Sequence, residues 1–166
     1  VEVRLLERDE ALRPDSSVRI SFLAEAPKRE EGAPPPVDLA VEKRNGDFVR
    51  NLIKTSQVSA VHDVSDGGLG LAVIEMALAA ELGASLQPLA HEQLFGEDQA
   101  RYVVTCTPAA TAAIAAAGAK AGIAVDRIGQ VTADATLNIA GGPSISLDQL
   151  RSAHEGWFPA YMSGEL

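Results

Sequence analysis

Aromatic side chains are scarce in this 166-residue chain, 4% of the total, and cysteine occurs once. The first scarcity leaves the core to be built mainly from Ala, Val, Leu and Ile. The second excludes an intrachain disulfide and any multi-cysteine metal cluster. Cys106, inside the strand-like RYVVTCT, is therefore read as a packing residue. Positive charge is also short: 14 Lys and Arg against 23 Asp and Glu give a formal charge of −9. That balance excludes the basic face needed for nonspecific binding to nucleic acid or an anionic membrane. A phosphate site made of backbone N–H groups remains open, because it needs no net positive charge. No apolar run approaches the ~18 residues of a membrane span, and VEVRLLERDE lacks the apolar stretch of a signal peptide. The expectation is a cytoplasmic protein with no nucleic-acid or membrane partner. His62, His91 and His154 show no metal-ligand spacing, and neither G-x-S-x-G nor a P-loop is present. His62, beside Asp63, is read as a buried, hydrogen-bonded imidazole in preference to a catalytic one. His91 and His154 are read as surface residues.

What is present is one domain's worth of chain, with 46% hydrophobic and 22% charged residues, ordinary for a globular protein. Residues 1–36 are the least regular part: one or two strands around a Pro14-Asp15-Ser16-Ser17 turn, then PKREEGAPPP as an extended connector. A boundary is expected there, with the compact domain spanning 37–166. Asp38 should cap a helix from Leu39 to about Thr55, with Val41, Phe48, Val49, Leu52 and Ile53 as its apolar stripe. Val58 to Val64 reads as a short buried strand, and Leu69 to Leu82 as a helix closed by Gly83. Ala84–Leu89 and Arg101–Thr107 are strand-like. Thr107 should cap an alanine-rich helix with Pro108 at its first position, running to about Ala117. Ile123–Val131 and Thr136–Ile139 read as strands, and Ser146 as the cap of a last helix that Gly156 and Pro159 should end. The pattern predicts an α+β sandwich, a mixed sheet covered by helices, with a ferredoxin-like portion.

Two polar clusters interrupt this pattern. In VHDVSDGGLG the turn Ser65-Asp66-Gly67-Gly68 joins a strand to a helix, preceded by Asp63. Glycines there permit positive φ and close approach, and the first N–H groups of the helix attract an anion. The plainer alternative is a turn in which Ser65 or Asp66 caps the helix. Two aspartates would repel an unaccompanied phosphate, an objection that a metal ion or a donor-rich partner removes. In LFGEDQAR, Glu97, Asp98 and Gln99 precede a strand that Arg101 enters. Either Arg101 pairs with an acid of its own loop, or the two clusters share one cleft of carboxylates, amide and guanidinium.

HDVSDGGL, LFGEDQARYVV, PPPVDLAVEKRNGDFVRNLI and LRSAHEGWFPAYM, in their order here, resemble the C-terminal half of the phosphoribosylformylglycinamidine synthase family over Arg29 to Met162. The resemblance implies an aminoimidazole-ribonucleotide-synthetase-like C-terminal domain, a three-layer α/β/α sandwich compatible with the pattern. It implies a parent enzyme of purine synthesis that uses ATP and magnesium, and ammonia from a glutaminase subunit, with a small accessory subunit. That family is an internal duplication, and its catalytic histidine and most magnesium ligands lie in N-terminal domains outside this segment. Ser65-Asp66-Gly67-Gly68 and Glu97-Asp98-Gln99 resemble the second half, associated with a structural nucleotide site. No catalytic residue is carried over. Asp63, Ser65, Asp66, Gly67, Gly68, Glu97, Asp98, Gln99 and Arg101 are the residues expected to meet a ligand or a neighbouring domain of the same enzyme. Nothing firmly bound to this chain alone is expected, and the chain alone should be inactive. The alternatives are another ATP-dependent enzyme of the same fold, such as the hydrogenase-maturation, selenophosphate-synthetase or thiamine-phosphate-kinase relatives, and a stand-alone, non-catalytic interaction module.

Overall fold

Alternate residues of the strand Tyr102–Cys106 point to opposite faces of a sheet, and each face meets different helices. A computed structural model describes residues 19–23 and 37–164. The strands are β1 (Arg19–Leu23), β2 (Ala60–Asp63), β3 (Gly83–Leu86), β4 (Tyr102–Cys106), β5 (Val125–Thr132), β6 (Thr136–Ile139) and β7 (Ser144–Ser146). They form one sheet in the order β2-β4-β1-β5-β3-β6-β7. All neighbours are antiparallel except β3 and β6, so the sheet is mixed.

Among the described residues five helices flank it: α1 (Leu39–Lys54), α2 (Gly68–Ala80), α3 (His91–Phe95), α4 (Thr111–Lys120) and α5 (Leu147–Ser163). Val103 packs with Leu69, Ala72 and Val73 of α2 and with Leu86, Ile128 and Leu137 of neighbouring strands. Its sequence neighbour Val104 faces the other way and packs with Val49 of α1, while Cys106 packs with Leu52 of α1 and Ile114 of α4. Helix α5 joins the α2 side, through Leu147 against Ala77 and Leu78. The result is the three-layer α/β/α sandwich that the resemblance implies. The run β2-α2-β3-β4-α4-β5 contains the ferredoxin-like order of elements, but α2 and α4 cover opposite faces and β1 lies in the middle.

Local chemistry explains several boundaries. Asp38 caps α1 as expected, its Oδ1 accepting from Ala40 N at 2.9 Å and Val41 N at 3.1 Å. Within α1 the buried residues are Val49, Leu52 and the polar Asn45, whereas Ile53, placed in the apolar stripe, is exposed. Gly83 does not close α2. That task falls to Glu81 in the left-handed region (φ 56°), and Gly83 opens β3. Glycine is required at Gly83 for a different reason: a Cβ there would stand 1.8 Å from the Asp134 carbonyl oxygen. Thr107 does not cap α4. Its carbonyl accepts from Ala110 N at 3.0 Å, a turn spends residues 108–110, and the helix starts at Thr111 and runs to Lys120.

The last helix passes through Gly156 and Pro159 to Ser163, because a proline forfeits a single N–H, and it stops at the left-handed Gly164. Its start is the expected one, Ser146 Oγ accepting from Gln149 N at 3.2 Å. The expected boundary near Pro36 is not a boundary of the fold, because β1 from the preceding segment pairs with both β4 and β5. The Pro14–Ser17 turn and the proline-rich connector lie outside the described residues. No helix among the described residues is long and apolar enough to cross a membrane.

Candidate functional site

Strand β2 lies at the sheet edge and runs antiparallel to β4, with Asp63 opposite Tyr102. The loop that leaves β2 must therefore meet the loop that enters β4. Val64 N continues the ladder to Arg101 O at 2.9 Å. Asp63 ends β2 and Gly68 begins α2, as the sequence pattern predicts. The two polar clusters share one cleft of about 340 Å³, to which Asp63, Ser65 and Asp66 come from the first and Glu97, Gln99 and Arg101 from the second. Glu42 of α1 and Tyr102 of β4 complete its polar lining.

The loops are also joined directly: Gly67 N donates to Glu97 Oε1 at 2.9 Å. This corrects the expectation that Ser65 or Asp66 caps α2. The N-cap is Gly67 at φ 75°, with no side-chain cap bond, so Asp66 and Ser65 precede the position from which a side chain reaches the helix. The carboxylate beside the positive end of α2 comes from a residue 30 positions away. Gly68 is buried and meets the backbone of Leu94 and Phe95, while Ser65 and Asp66 are exposed. The turn thus divides into a polar lip and a packing glycine that locks α2 against α3.

Arg101 is 2% exposed and organises its own loop. It donates through Nη1 to Gly96 O at 2.8 Å and through Nη2 to Gln93 O at 3.0 Å, with Asp98 Oδ2 at 3.5 Å from Nη1. Asp98 is buried with it, behind the cleft. Helix α3 supplies two of these carbonyl-bearing residues' surroundings and is an element that the sequence pattern alone leaves as loop. Ala100 stands at φ 63°, a left-handed conformation unfavourable for alanine, and its carbonyl accepts from the buried Asn45 Nδ2 at 2.9 Å. Burial, then the negative charges of Glu42 and Asp63, push the Tyr102 phenol up from its ordinary value.

His62 lies outside the cleft lining. Its Nδ1 is 2.6 Å from the Asp63 carbonyl oxygen and its Nε2 is 3.1 Å from Glu75 Oε2 of α2. It is a half-buried, hydrogen-bonded ring. His91 and His154 are on the surface, and Cys106 is a buried free thiol.

Chemically, Glu42, Asp63, Asp66 and Glu97 make the cleft acidic, with Ser65, Gln99 and Tyr102 adding neutral donors and acceptors. Arg101's terminal nitrogens bond its own loop, so a bare phosphate finds net negative charge here. No histidine, cysteine or lysine lines the cleft to form a nucleophile–base pair. Among the described residues, no three carboxylates, imidazoles or thiols are gathered closely enough to hold a metal ion.

Fold and site define an α/β/α domain in which the β2–α2 and α3–β4 loops converge on an acidic cleft at one sheet edge. The chain belongs to the family "AIR synthase related protein, C-terminal domain", which matches residues 16–141. The match takes in β1 and starts earlier than the four motifs that carry the resemblance. The phosphoribosylformylglycinamidine synthase subunit PurL of Methylocella silvestris is 49% identical over 149 residues, 87% of this chain and 20% of that protein. The chain therefore spans about a fifth of the length of the curated relatives it matches. Thermotoga maritima PurL complexed with ATP superposes with a TM-score of 0.72 at 21% identity, covering 88% of this chain and 27% of that one. A structure of PurLQS from Thermotoga maritima gives a TM-score of 0.72 at 19% identity, over 83% and 26% of the two chains. These structural likenesses establish the fold.

Proposed function

We propose that this chain is the C-terminal domain of an ATP-dependent phosphoribosylformylglycinamidine synthase of purine biosynthesis. One observation carries the reading: 49% identity to a PurL subunit over 87% of the chain. In the longer protein ATP phosphorylates the amide oxygen of formylglycinamide ribonucleotide, and ammonia then displaces phosphate to give the amidine. Ammonia would come from a glutaminase subunit, with a small accessory subunit alongside. The compartment is the cytoplasm.

The part played by this chain is architectural. Asp63, Ser65, Asp66, Glu97 and Gln99 present an acidic, hydrogen-bonding lip to a neighbouring domain of the same enzyme, held in place by Gly67, Gly68, Asp98 and Arg101. The lip's hard oxygen donors suit magnesium in kind. They do not fit it as a built centre, because no ion-holding group of three exists among the described residues. No step is therefore routed through a metal on this chain.

The test uses the full-length protein that contains this chain, assayed with ribonucleotide, ATP and ammonium. Substrate-dependent release of phosphate and formation of the amidine are expected, and their absence would refute the assignment. Asp66→Lys in that protein should lower turnover without moving its unfolding midpoint, since Asp66 is exposed and its side chain caps nothing. Unchanged turnover would remove the lip from the function.

A further inference from the structure

Helix α5 outruns its support. Leu147 and Leu150 pack against α2, and Arg151 Nη2 donates to Leu78 O at 3.3 Å. Beyond them the helix continues to Ser163, with Trp157, Phe158, Tyr161 and Met162 each 59–68% exposed. Their spacing pairs Trp157 with Tyr161 and Phe158 with Met162 at i,i+4, two adjoining rows on one side of the helix. The Trp157 and Tyr161 rings stack at 5.2 Å, which presents them as one flat surface. No charged residue lies between Gly156 and Gly164. Four large apolar side chains grouped this way make a patch near the upper end of what a single domain leaves to water, where such patches often serve a function.

From this face we infer that the end of α5 is an intramolecular docking surface, covered in the longer protein by an apolar surface of another domain of the same polypeptide. The inference rests on the reading of this chain as one domain of a longer enzyme. The relatives' length supplies the candidate cover, because about four-fifths of the Methylocella silvestris relative lies outside the match. The helix also lies beyond residue 141, where the match to the family model ends.

A second copy of this chain is the competing occupant, and two quantities disfavour it. Aromatic side chains bury roughly 150–250 Å² each, so exposures near 60% put on the order of 500 Å² on this face. Two copies would then bury about 1,000 Å², the lower limit for a specific association. Each copy also carries a formal charge of −9, and the two would repel. A tethered domain needs less area, because the linker sets a high effective concentration.

Hydroxyl-radical footprinting of the unaltered full-length protein tests this, read at Trp157 and Met162 against the exposed Phe95 of the same chain. Protection of Trp157 and Met162 by roughly tenfold relative to Phe95, independent of protein concentration, is the expected result. Modification at the Phe95 rate in the monomeric protein overturns the proposal. Protection that appears only as the protein self-associates also overturns it, in favour of a second copy. Tyr161→Glu in the same protein should release the protection of Trp157 while far-UV circular dichroism stays unchanged, and retained protection would refute the docking face. Synthase turnover is measured on the same preparation. Protection without turnover leaves the docking surface standing and removes the enzyme assignment, and turnover without protection does the reverse.

Discussion

Gly68→Ala should cost this fold about 2–5 kcal/mol, while the same change two residues along, Gly70→Ala, should cost nothing. At Gly68 the backbone has φ 69°, and an added Cβ would stand 2.7 Å from the Leu94 carbonyl oxygen and 2.8 Å from Phe95 Cα. The left-handed conformation penalises an L-residue by about 1–2 kcal/mol. Relieving contact with a backbone, which cannot swing aside as a side chain can, adds about 1–3 kcal/mol of overpacking. A domain stable by about 5–15 kcal/mol would lose a large fraction of its margin. Gly70 looks at the same carbonyl, but its Cβ would sit at 3.5 Å, an ordinary contact, with unstrained helical backbone. Alanine there should gain about 0.5–1 kcal/mol from helix propensity. Urea titrations followed by far-UV circular dichroism would resolve the pair, since with a slope near 2 kcal/mol/M the Gly68→Ala midpoint should fall by about 1–2.5 M. A Gly68→Ala protein within about 0.5 kcal/mol of the parent would refute the picture of a glycine lock between α2 and α3. So would equal losses at both positions.

Ala100→Gly should stabilise the fold by up to about 1 kcal/mol, because relief of the left-handed strain exceeds the entropy that glycine adds to the unfolded chain; differential scanning calorimetry reads the sign. Asn45→Asp should destabilise by about 2–4 kcal/mol at neutral pH, since a buried carboxylate would face the Ala100 carbonyl in place of a donor. Urea titrations repeated below about pH 5, where the new carboxyl protonates, should recover part of that loss. Burial, Glu42 and Asp63 raise the Tyr102 phenol, so Glu42→Gln should bring it back toward the ordinary range in an ultraviolet pH titration. The sign for stability follows: a raised folded value favours the native state below the unfolded value, and that contribution is lost as pH rises through the folded one. Glu42→Gln should therefore flatten the alkaline fall in stability.

Much of this fold is written locally. Asp38 before an apolar stripe, Ser146 before Gln149, and the alternation in RYVVTCT and TLNI each carry their own physical signal, and each element stands where it points. Two of the misplacements fall where a distant part of the chain decides. Gly83 resembles a helix cap, yet its glycine is demanded by the carbonyls of Asp134 and Thr136, far along the chain. Ser65 and Asp66 resemble caps, yet the carboxylate at α2 belongs to Glu97. Both polar loops of the cleft were legible singly. Their meeting was not, because it follows from the antiparallel pairing of β2 with β4, which neither stretch encodes alone. Glu42 and Tyr102 were missed for the same reason: one sits in an ordinary helical turn, the other in an ordinary strand.

The position of β1 has a consequence for how the chain is made. It is the earliest strand in the chain among the described residues, yet it lies inside the sheet, between β4 and β5. Among the described residues it is the only backbone ladder joining the β2-β4 pair to the β5-β3-β6-β7 group. During synthesis the β4 and β5 residues that pair with it are complete only once residue 106, and then residue 130, has emerged. Open edges recruit other strands, and pairings this remote in sequence form late. A nascent chain stalled before β5 would hold a half-sheet with a bare seam, sticky to its neighbours on a polysome, and chaperone demand should be greatest over that interval of translation.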